Sequence, residues 1–76
     1  MNNLRRKHLR ELSERIEELK SELETLKEAE EEARDNMPES MQDSDRYYAM
    51  DEACDNLESA LDSLDEAVSA IEEACA

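Results

Sequence analysis

The chain has 76 residues and carries 23 acidic against 9 basic side chains, a net charge of −14. That length allows one domain with a small core, and that charge repels phosphate and anionic lipid, which disfavours direct binding of nucleic acid or membrane. Glycine, phenylalanine and tryptophan are absent and proline occurs once, so the composition suits helix and little else.

High charge with few aromatics also describes disordered chains, and apolar periodicity decides between the two. In the first half Leu9, Leu12, Ile16, Leu19, Leu23 and Leu26 follow a 3-4-3-4-3 spacing. These are the a and d positions of a coiled-coil seam. Glu30 interrupts the seam before Ala33 and Met37 resume it. The pattern predicts a helix over about 3–36.

A turn over about 37–44 follows, around Pro38. Proline disfavours the helical conformation for Met37 and supplies no amide donor, so the first helix should end near Asn36. Ser40 or Ser44 can cap the next helix, and Asp43 and Asp45 suit its positive N-terminal end.

The second helix is predicted over about 45–75, with an unbroken seam of Tyr47, Met50, Cys54, Leu57, Leu61, Leu64, Val68, Ile71 and Cys75. Long helices joined by a short connection return beside each other, so the expected fold is all-α, an antiparallel two-helix coiled-coil hairpin. The e positions support that orientation, because antiparallel helices bring e opposite e. Folding at the turn sets Lys27 near Glu58 and Lys20 near Asp65. Ala53, Ala60, Ala67 and Ala74 occupy every g position of the second helix. They widen its apolar stripe to three positions in seven, more than one neighbouring helix needs. A homodimer forming a four-helix bundle, or a higher oligomer, follows as the expected assembly; the plainer reading is that alanine fills helix surface as a good helix former.

Charge is uneven along the chain. Residues 1–34 hold eight bases and ten acids, whereas residues 35–76 hold one base, Arg46, and thirteen acids. The second helix is therefore the acidic one, with Glu52, Asp55, Asp62, Glu66 and Glu73 pointing outward in rows. The cluster Arg5-Arg6-Lys7-His8 with Arg10 could suggest a nucleic-acid or membrane arm, but in the hairpin it is expected to be compensated internally by Glu72, Glu73 and the C-terminal carboxylate. Met41 and Tyr48, near the turn and off the strict seam, are candidate partner contacts, while Met37, Tyr47 and Met50 close the end of the core.

Catalytic and ligand-binding patterns fail in turn. Asp43-Ser44-Asp45 begins like a calcium loop but lacks its glycine and its later ligands. His8 is the single histidine, so the paired Glu-x-x-His set of a di-iron bundle cannot be assembled, and no Ser/His/Asp set can be assembled from the sequence either. Cys54 and Cys75 are 21 residues apart on one helix, about 30 Å at helical rise, and cannot bond to each other. They read as buried thiols of a cytoplasmic protein. No catalytic, cofactor or metal residues are expected.

From Asp35-Asn36-Met37-Pro38-Glu39-Ser40, through Tyr47, to the acidic run from Asp55 to Leu64, the chain resembles short helical-hairpin proteins of Firmicutes genomes and their mobile elements. The resemblance spans nearly the whole chain; it implies the hairpin and implies no activity. Two functions compete on the residues themselves. One is a non-enzymatic interaction or structural module that self-associates. The other is a phage-like acidic mimic of nucleic acid that occupies the groove of a basic nucleic-acid-binding defence protein. A metal-carrying bundle is a weaker third.

Overall fold

A computed structural model describes residues 1–76. The chain forms two long helices, α1 over Asn3–Asp35 and α2 over Asp45–Cys75, packed against each other, with a single 3-10 turn over Glu39–Met41 between them. The Cα trace measures 59 × 15 × 12 Å, a rod one helix thick and two helices wide.

Local chemistry sets the helix ends. The Asn2 side-chain oxygen accepts from the Arg5 amide at 2.8 Å and caps α1. At the other end, the Asn36 amide bonds back to Glu32 and Arg34, and Pro38 at φ −55° and ψ 142° turns the chain away from helix. Ser40 is absorbed into the 3-10 turn. The cap of α2 is therefore Ser44, whose hydroxyl accepts from the Tyr47 amide at 3.2 Å and donates to the Met41 carbonyl at 2.6 Å. Every residue keeps a negative φ, so a chain without glycine completes the turn without backbone strain.

The core lies along one contact line. Across it the residue numbers rise along α1 as they fall along α2: Lys20 meets Asp65, Lys27 meets Glu58 and Arg34 meets Asp51. The α2 side of the line uses the expected seam. Cys54, Val68 and Cys75 are buried, and Met50, Leu57, Leu61, Leu64 and Ile71 are half-buried.

On the α1 side the expected a/d seam is corrected. Leu9, Ile16 and Leu23 do turn inward, but so do Ser13, Lys20, Lys27 and Arg34 at the e positions. The d leucines turn out, with Leu12 at 44%, Leu19 at 58% and Leu26 at 64% exposure. Helix α1 has rolled toward its e edge, where long basic side chains lay their aliphatic stems over α2 and keep their charged ends at the rim. Only 4 of the 76 residues are buried, a core too thin for comfortable stability in a lone domain of this size.

Candidate functional site

The two flanks of the helix pair differ in chemistry. One is a charge ladder. Its rungs repeat every seven residues along each helix. The Lys20 and Lys27 ammonium groups pair with Asp65 and Glu58 across the contact, and also with Glu17 at 3.4 Å and Glu31 at 3.5 Å on their own helix. Arg34 reaches Asp51 at 2.9 Å and Asp35 at 3.1 Å. Hydrogen bonding to Asp65 holds the Lys20 ammonium above its ordinary pKa, hydrogen bonding to Glu58 does the same for Lys27, and Asp35 and then Asp51 do so for Arg34.

The third rung escapes a reading of the sequence because Glu30 interrupts the seam just before it. The signal that finds it is the strict interval Lys20, Lys27, Arg34 set against Asp65, Glu58, Asp51. Extending the interval backward gives Ser13 opposite Glu72, a rung without its cation. The short serine leaves an open cleft of about 450 Å³ bordered by Arg10, Ser13, Glu17, Glu72 and Cys75. Ser13 is the one buried polar residue of the chain.

Arg10 borders this cleft without pairing to Glu72. Arg5, Arg6, Lys7 and Arg10 form no ion pair at all, since every salt bridge belongs to Lys20, Lys27 or Arg34. The cluster is thus joined to Glu72 and Glu73 by no direct ion pair. Its one link to the end of α2 is the Cys75 thiol, which donates to the Arg6 carbonyl at 3.8 Å.

The opposite flank is apolar and almost free of charge. It carries the exposed Leu12, Leu19 and Leu26 of α1 beside the g row of α2, where Ala53, Ala60 and Ala67 are half-buried and Ala74 is exposed. Beyond that row lies another uncharged one of Ala49, Asn56, Ser63 and Ala70, all exposed. At the α1 edge stand His8, Arg15, Glu22 and Ala29, in which one acid and one base offset each other.

The acids sit elsewhere. Glu52, Asp55, Asp62, Glu66 and Glu73 are exposed on the outer face of α2, and none forms a salt bridge. At the turn end Tyr48 is 56% and Met41 43% exposed. Tyr48 stands edge-on to Tyr47 with ring centroids 6.0 Å apart, and Met37, Tyr47 and Met50 are half-buried beneath them.

Both cysteines are free and buried. Burial pushes the Cys54 thiol up from its ordinary pKa, partly opposed by the Arg34 charge, the setting of an unreactive packing thiol. No three His, Cys, Asp or Glu side chains are grouped so that they could hold a metal ion. No helix is long and apolar enough to cross a membrane. The chain matches no protein-family model, no curated protein and no solved structure.

Proposed function

We propose that this chain is a non-enzymatic interaction module, an antiparallel coiled-coil hairpin that self-associates into a four-helix bundle and offers its acidic outer faces and turn ends to a further protein. The observation that carries this reading is the row of exposed leucines on α1 beside the alanine row of α2. A fully buried leucine contributes about 1.5–3 kcal/mol, and an exposed ion pair contributes little. A roll of α1 that exposes three leucines to complete a charge ladder is favourable overall only when something else covers the leucines.

Thermal unfolding followed by circular dichroism over a hundredfold range of protein concentration tests the reading. Self-association couples to folding, so the midpoint should climb with concentration. A midpoint that stays constant over the whole range contradicts it.

The unpaired carboxylates along α2 favour a second reading, in which the acidic face imitates nucleic-acid phosphates and fills the groove of a basic protein. Binding to a basic nuclease that weakens steeply with salt and competes with DNA supports that reading. Indifference to both salt and DNA removes it.

A further inference from the structure

The geometry points to a specific occupant for the apolar flank: a second copy of this chain, related by a two-fold axis parallel to the helices, with the leucine ridge of each α1 seated on the alanine row of the other's α2. This rests on the self-association proposed above and names its surface and register.

Charge selects the flank. A molecule of net charge −14 can meet its own copy only where it carries little charge, since like charges brought together at an interface are strongly unfavourable. The ladder flank is ringed with carboxylates and the outer face of α2 carries unpaired acids. The leucine and alanine flank has no charge in its three inner rows, which are Leu12, Leu19 and Leu26; Ala53, Ala60, Ala67 and Ala74; and Ala49, Asn56, Ser63 and Ala70.

Shape selects the axis. One half of the flank is a ridge of large side chains and the other a trough of small ones, so the surface complements itself when ridge meets trough. An axis along the helices achieves this by laying each α1 over the other copy's α2. Heights follow from the ladder, which sets Lys20 level with Asp65 and Lys27 level with Glu58. At those heights Leu12 stands within one residue of the level of Ala74, Leu19 of Ala67 and Leu26 of Ala60, so each leucine meets the small side chain of one alanine. A two-fold axis perpendicular to the helices would instead stack leucine on leucine and alanine on alanine, leaving one helix pair too wide and the other too close.

Area is sufficient. Two helices, each about 10 Å across, covered over about 30 Å of length give roughly 600 Å² per copy, near the ~800 Å² per partner of stable interfaces. The isologous contact counts each side chain twice.

Sedimentation equilibrium of Leu19→Gln and Ala60→Glu, with Ser59→Glu as a control on the outer face, tests the surface. Position 19 is already exposed in the single chain, so Leu19→Gln should keep its helicity and weaken dimerisation at least about 100-fold, with two sites altered per dimer. Ala60→Glu should do the same, and Ser59→Glu should change the dimer little. If the unaltered chain dimerises and neither Leu19→Gln nor Ala60→Glu weakens it, self-association stands and this surface is overturned. A chain that is monomeric throughout overturns the self-association reading and this inference with it. The register is read by mild oxidation of a Leu19→Cys chain mixed with an Ala67→Cys chain, which the ladder sets within one residue of the same height. A disulfide joining the two variants is expected; faster self-crosslinking of the Leu19→Cys chain overturns the parallel axis.

Discussion

Truncating two leucines three residues apart distinguishes the rolled α1 from a conventional a/d seam. Leu23 is half-buried against α2 and Leu26 is 64% exposed. Leucine and alanine have similar helix propensity, so replacing either by alanine removes packing and little else. Truncating a leucine against a neighbouring helix costs about 2–5 kcal/mol, and the half-buried Leu23 belongs near the lower figure. Leu26 keeps only about a third of its surface covered, so its loss costs roughly 0.5–1 kcal/mol from the transfer free energy of leucine. In a domain this small each kcal/mol moves the midpoint by about 4–8 °C, giving Leu23→Ala a drop of at least about 8 °C and Leu26→Ala markedly less. The assay is thermal unfolding by circular dichroism in the dilute range where the chain is monomeric and still helical. Raising the concentration should then close the gap between the variants as the second copy covers Leu26. An equal or larger cost for Leu26→Ala in the dilute range would refute the roll of α1.

Other expectations follow from the charges and thiols. Lys20 and Lys27 are raised above 10.5 in the folded chain, first of all by their hydrogen bonds to Asp65 and Glu58. A raised folded pKa means that the stabilisation is fully present below pH 10.5 and is lost as pH climbs through the folded value. The thermal midpoint should fall on that alkaline side, and a Lys20→Gln Lys27→Gln variant should show a smaller fall. Ser13→Lys should complete the fourth rung against Glu72 and raise the midpoint by a few degrees; a decrease would show that the cleft cannot take the stem. Salt should stabilise the fold, because shortening the screening length from about 30 Å at 0.01 M to about 10 Å at 0.1 M relieves the repulsion of a −14 chain more than it weakens the ladder. A midpoint that drops with salt would give the ladder the larger role. Alkylation of Cys54 at mildly alkaline pH should be slow and should accelerate only on unfolding, as read by mass spectrometry; rapid alkylation of the folded chain contradicts its burial.

What the sequence made legible was the part that depends on period and local chemistry. The absence of glycine with two heptad arrays specified helices, Pro38 located the break between them, and opposite charges at e positions identified Lys20 with Asp65 and Lys27 with Glu58. Heptad counting cannot fix the rotation of a helix about its own axis. Leu12, Leu19 and Leu26 and the row Ser13, Lys20, Lys27 and Arg34 flank the same a positions, and either can face α2 while the seven-residue interval is kept. Choosing between them requires knowing that basic stems cover α2 while their ends find carboxylates, which is a property of the packed pair. The cap was undecided for a similar reason: Ser40 and Ser44 have equal capping chemistry, and only the 3-10 turn over Glu39–Met41 removes Ser40 from contention. Arg34 with Asp51 was obscured by Glu30, and Ser13 reveals itself as a missing rung only once the other three are seen.

A second copy of the chain is expected to cover the uncharged leucine and alanine flank. Light scattering coupled to size separation, over a concentration series at moderate salt, measures this directly. A mass approaching twice the 8.8 kDa of the chain is expected as concentration rises, with helicity rising alongside. A helical species that stays at 8.8 kDa at every concentration would contradict it.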